Sequence, residues 1–138
     1  MAQVDHLPIY KAAYDLCLHV EHVVRKFPRY QKYTVGTDLR EGARRVLKLV
    51  VRANARRDKA PALLEVREEV ESLKAVLRLA HDTQAFASLR AFEHAVVLAV
   101  EVAKQNEGWL KHQQQQARVG RDQNRRAMAD GPATPGAS

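Results

Sequence analysis

Cysteine, glycine, proline and aromatic side chains are all scarce in this chain. Its 138 residues include one cysteine, six glycines, five prolines and only 6% aromatics. With Cys17 alone, no internal disulfide and no zinc site of the Cys/His type can be assembled. The longest unbroken apolar run, Ala95 to Val100, is far shorter than the roughly 20 residues that a membrane-spanning helix needs. The opening MAQVDHLPIY lacks the basic-then-apolar pattern of a secretory signal, so a cytoplasmic protein with no membrane contact is expected. No segment alternates as a strand does, which removes the strand-to-glycine-loop motifs that hold nucleotides. None of the six histidines stands three residues after a glutamate, as carboxylate-bridged metal bundles require. Cys17 has no identifiable base beside it. The residues therefore predict a protein without catalytic residues, cofactor or metal.

Positive charge is plentiful, and it is unevenly placed. The formal net charge is +7, and residues 34–57 alone carry seven cations against two carboxylates. Residues 58–82 are net acidic, whereas residues 104–138 are again basic. A concentrated basic field attracts phosphates whatever the fold beneath it, so the asymmetry points to RNA, DNA or another polyanion.

The segment Thr37–Arg57 shows how the charge is displayed. At about 100° per residue, Leu39, Ala43, Val46, Leu47, Val50 and Ala53 share one side of a helix. Arg40, Arg44, Arg45, Lys48, Arg52 and Arg56 fill the opposite side, interrupted by Glu41. These six cations are the candidate nucleic-acid-binding residues. A solvated helix face with an excess of arginine would present the same pattern.

Apolar periodicity predicts four helices. In the first, Ile9, Ala13, Leu16, Val20, Val24 and Phe27 recur at steps of three and four, between Pro8 and Pro28. After the connection PRYQKYTVGT, a second helix capped by Thr34 or Thr37 runs to about Arg57. Pro61 opens a third, with Leu63, Val66, Val70, Leu73, Leu77 and Ala80 on one side. Ser88 is positioned to cap a fourth, whose Leu89, Phe92, Val96, Ala99 and Ala103 face the core. Four amphipathic helices with short connections predict an all-α, antiparallel up-down-up-down bundle over residues 1–115. Residues 116–138, rich in Gln, Arg, Gly and Pro, predict a flexible basic tail.

The fourth helix has apolar residues on a second side as well, including Leu98, Val102 and Trp109. A helix apolar on two sides is expected to be buried on two sides, which makes these three the candidate subunit interface of a homo-oligomer. Tyr30 and Tyr33 lie among Arg25, Lys26, Arg29 and Lys32. Such tyrosines stack on unpaired bases, or they pack the connection against the bundle.

The order of LPIYKAAYDL, the Phe27-Pro28 stop, LREGARRVLKLVVRAN, VLRLAHD at 76–82 and EGWLK at 107–111 resembles the accessory variability determinant family of diversity-generating retroelements. That family is related to the four-helix proteins encoded in intervening sequences of bacterial 23S rRNA genes. The resemblance covers residues 7–111. It implies a bundle assembled into a basic pentameric ring that binds RNA, DNA and the element's reverse transcriptase during mutagenic copying of a template RNA. Glu107, ahead of Gly108-Trp109-Leu110, departs from the glycine pair that the family tends to show there. The alternative from another class is an oligomeric protein-interaction scaffold of the intervening-sequence type, without a retroelement role.

Overall fold

The computed structural model describes residues 6–129; residues 1–5 and 130–138 lie outside the described residues. Four long helices and one short one follow in order: α1 (Pro8–Val24), α2 (Arg29–Lys32), α3 (Val35–Ala55), α4 (Ala60–Asp82) and α5 (Leu89–Ala129). No strand occurs among the described residues. Each long helix packs on two others, α1 on α3 and α5, and α4 on α3 and α5, which makes a four-helix bundle.

Local chemistry sets the boundaries. Pro8 occupies the first turn of α1, where its missing N–H costs nothing, and Pro28 opens the single turn α2. The sequence places only a connection there, because a four-residue helix has too few residues to show a period. Thr34 precedes α3, but its Oγ1 donates backward to the Tyr30 carbonyl at 2.9 Å instead of capping the helix. The end of α3 is closed by Lys59, whose Nζ donates to the carbonyls of Ala53, Asn54 and Arg56 at 2.7–3.2 Å. Ser88 caps α5 as expected, its Oγ accepting from the Ala91 N–H at 3.1 Å.

The core is aliphatic, with Leu16, Val20, Leu39, Val46, Val50, Val66, Val70 and Leu77 essentially inaccessible. Each contributes on the order of 1.5–3 kcal/mol through burial. Phe27, Phe86 and Phe92 close one end through edge contacts at 5.1 and 5.5 Å, and His81 stacks on Phe92 at 4.1 Å. At the other end Ala53, Ala62, Leu63 and Leu110 form a small second cluster beside Trp109.

Two expectations for α5 change. Ala95, Ala99, Val102, Asn106 and Leu110 are its buried residues, so the core line runs between the two arcs read from the sequence. Phe92, Val96 and Ala103 flank it on one side, and Ala91, Leu98 and Trp109 on the other, all half-buried against the core. The helix therefore carries one wide apolar stripe, not two. Val102 is fully buried within the single chain, with no surface to offer a second copy, and it is removed from the candidate interface. Residues 116–129, where the sequence predicted a flexible tail, continue α5 with every residue exposed, and the rest of that tail lies outside the described residues. Gln, Arg and Ala are good helix formers, and adding turns to a helix already nucleated by packing costs little.

Candidate nucleic-acid interface

The side of α3 away from the core is exposed from Glu41 to Ala55, apart from the positions that turn inward, and so are Arg56 and Arg57 just beyond its end. Arg44, Arg45, Lys48 and Arg52 line one groove of about 450 Å³ together with Glu41 and Leu49. Arg52 and Arg56 line a second, of about 530 Å³, with Arg57, Asp58, Pro61 and Glu65. Five of the six candidate cations thus follow one another along two grooves that meet at Arg52. Arg40 is half-buried at the flank next to α1.

The stripe is partly neutralised by neighbouring helices, and the fold shows which carboxylate meets which arginine. Glu21 on α1 accepts from Arg40 Nε at 3.0 Å and also from Arg44 Nη2. On α4, Glu69 pairs with Arg45 at 3.2 Å and Glu65 with Arg52 at 3.5 Å. A guanidinium has five donors, so one carboxylate contact orients an arginine without exhausting it. Among the described residues Lys48 and Arg56 have no carboxylate partner. The surface is a row of held guanidiniums around a loose ammonium, suited to a polyanion read by charge and not by base edges.

A third groove, of about 390 Å³, lies between α1 and α5 and is lined by His19, His22, Lys26, Ser88, Arg90 and His94. The His19 and His94 rings meet edge to face at 4.6 Å, and His19 Nε2 donates to the Ala91 carbonyl at 2.9 Å. Burial is the main reason that His19 is held below its ordinary pKa of 6.5, reinforced by the charges His94 and His22 would carry. The sequence shows His19 and His22 on one helix side, but only the fold brings His94 to them. Among the described residues no group of three or more His, Cys, Asp or Glu side chains is arranged to hold a metal ion. Cys17 is half-buried, its thiol donating to the Ala43 carbonyl at 3.1 Å. Burial, helped by Glu21 and opposed by Arg44, pushes that thiol up to about 11. It stays protonated and unreactive at neutral pH.

Of the candidate interface residues, Leu98 and Trp109 remain partly accessible. Leu18 on α1 and Val97 on α5 are more than half exposed and were not singled out in the sequence, since isolated aliphatics off the core line carry no periodic signal. Among the described residues no helix is long and apolar enough to cross a membrane.

A family model described as bAvd-like matches residues 7–113, nearly the whole of the packed bundle. No curated protein matches the chain.

Proposed function

The chain belongs to the bAvd-like family, the accessory variability determinants, and from that membership we propose a non-enzymatic, nucleic-acid-binding accessory of a diversity-generating retroelement. In this reading it binds template RNA, its cDNA and the element's reverse transcriptase in the cytoplasm, and positions them by electrostatics and shape. The observation that supports it best is the continuous row Arg44, Arg45, Lys48, Arg52 and Arg56 along two adjoining grooves. Phosphates set about one charge per 1.7 Å of duplex against such a row. The ion pairs Arg45–Glu69 and Arg52–Glu65, in which rising numbers on α3 meet falling numbers on α4, support an antiparallel up-down-up-down course in this reading.

The working form is a homo-oligomer, a pentamer by family resemblance. A ring multiplies the basic row and raises avidity without new contacts. Leu98 and Trp109, with the exposed Leu18 and Val97, are the side chains available to hold it.

Co-expression of the chain with the reverse transcriptase of the proposed element tests the role. Recovery of a complex containing both proteins and template RNA is the expected result; a chain that purifies alone and binds neither RNA nor DNA would remove it. Light scattering at micromolar concentration tests the assembly, and a monomeric mass would remove the ring.

A further inference from the structure

Four of the α3 arginines have glutamate partners, but the cations of the α1–α3 connection do not. Among the described residues Arg25, Lys26, Arg29 and Lys32 form no ion pair. Within this cluster Tyr30 and Tyr33 are 79% and 69% exposed, the most open aromatic rings of the described chain. Of the two readings that the sequence allows, packing of these rings against the bundle is therefore excluded.

The backbone beneath the rings is held firmly. Phe27 is buried on one side of the connection, and Gln31 Nε2 donates across to the carbonyl and hydroxyl of Thr83 at 2.9 and 3.2 Å. Gly36 brings α3 so close that a Cβ would lie 3.1 Å from the Gln31 carbonyl. This turn is pinned from inside while its rings face water. Tyr30 also borders a groove of about 500 Å³ between α2, α3 and α4, floored by the exposed Leu79 and Thr83, with Asp38 on its rim. Leu79 beside Tyr30 offers a base an apolar surface.

We propose that α2 and its flanks form a binding platform for unpaired nucleotides, in which Tyr30 and Tyr33 stack on successive bases while the flanking Arg25, Arg29 and Lys32 hold the backbone. Aromatic rings set among cations bind single strands with little sequence preference, because every base has a stacking face. Duplex, whose bases are already stacked, gains nothing from the rings. The platform gives the protein a preference for single strands that the α3 row alone lacks. It rests on the nucleic-acid reading above, but on different residues.

The test compares an oligouridylate of about a dozen nucleotides with a duplex of similar length by fluorescence anisotropy. Tyr30→Ala with Tyr33→Ala is expected to weaken single-strand binding about tenfold or more and to leave duplex binding within about twofold. Tyr30→Phe with Tyr33→Phe, which keeps the rings, is expected to bind like the wild type. Both changes lie at exposed positions, and unchanged helical circular dichroism verifies the fold. Undiminished single-strand binding by the alanine variant, or an equal loss on both ligands, overturns the stacking platform while leaving the α3 reading intact. A phenylalanine variant as weak as the alanine one overturns it too. Wild-type protein that binds neither ligand overturns both.

Discussion

Asn106 Nδ2 donates to the backbone carbonyl of Leu63 at 2.9 Å, a hydrogen bond between α5 and α4 made in the core. Asn106 is 1% exposed, and its Oδ1 meets no donor among the described residues. The Leu63 carbonyl serves α4 whether or not Asn106 is present, so the side chain supplies register more than stability. Its carboxamide oxygen is left unpaired in an apolar setting, which carries a desolvation cost of roughly 1–3 kcal/mol.

Asn106→Leu is therefore expected to melt at or above the wild-type temperature. Asn106→Asp should lose about 3 kcal/mol or more at neutral pH, since it buries an unpaired carboxylate against a carbonyl oxygen. Acid should restore part of that loss, because a protonated carboxyl can donate to Leu63. Chemical denaturation of both variants checks this. A leucine variant destabilised by more than about 2 kcal/mol would show that the hydrogen bond outweighs the orphaned oxygen.

Two helical glycines should respond in opposite directions. At Gly36 a Cβ would stand 2.8 Å from Val24 Cγ1 and 3.1 Å from the Gln31 carbonyl, so Gly36→Ala must push α3 away from α1 at an expected cost of about 1–3 kcal/mol. At Gly108 a Cβ would meet nothing within 4 Å. Gly108→Ala should raise stability by about 0.5–1 kcal/mol through the chain's lower unfolded-state entropy. Thermal melts of the two variants shifting the same way would contradict the packing described.

The contrast also shows what the sequence could and could not convey. Periodicity located the core residues of α1 and α4, because each of these stripes faces inward along a single line. It misjudged flanks: Leu47 and Leu49 edge the same α3 stripe, and only the placement of neighbouring helices makes Leu49 the buried one. The same limit produced the two apparent faces of α5, whose core line also passes through Ala95, too small to stand out, and Asn106, a polar residue with no apolar signal. Glu107 illustrates the reverse. It stands where the family tends to have glycine, and here it is exposed and gripped by Arg67 through two bonds of 2.7 and 2.8 Å, with no close helix approach to disturb. The cationic row was legible as a row. The acidic cluster of Glu65 and Glu69 on the next helix points to pairing with basic neighbours, but which arginine each carboxylate meets, and the part played by Glu21, were not legible, because pairing across helices leaves no periodic trace.

Stability should fall in two steps on acidification. Burial holds His19 below its ordinary pKa of 6.5, so the fold favours the neutral ring. That contribution is present above the unfolded value and lost as pH falls through the folded one. Hydrogen bonding to Arg67 holds Glu107 below 4.5, and its contribution likewise disappears as pH drops further. His19→Gln, which can still donate to the Ala91 carbonyl, should flatten the upper step, and Glu107→Gln the lower one. Melting temperatures measured between neutral and acidic pH test both; profiles unchanged by either substitution would assign acid sensitivity to other groups.

Removing residues 116–138 should leave the bundle folded, because residues 116–129 are exposed along the whole of their helix and shield no core. Helical circular dichroism should drop in proportion to the lost turns while the melting temperature holds. A large fall in melting temperature would mean that the end of α5 packs somewhere on the bundle.

Affinity for nucleic acid should decline steeply with salt, and its slope counts phosphates. Each contact contributes roughly −0.9 to the log–log slope on duplex DNA and about −0.7 on single strands. Replacing Arg44, Lys48 and Arg52 together by Gln should make the duplex slope shallower by about two to three. The glutamates beneath the row give a complementary test, since a phosphate must compete with Glu65 for Arg52 and with Glu69 for Arg45. Glu65→Gln with Glu69→Gln should therefore tighten binding and steepen the slope. Loss of affinity in that double variant would mean that the carboxylates chiefly hold the guanidiniums in their binding orientation. An unchanged slope in the folded triple variant would move the phosphate contacts away from α3, to the Arg118–Arg126 end of α5 or to the connection around Tyr30.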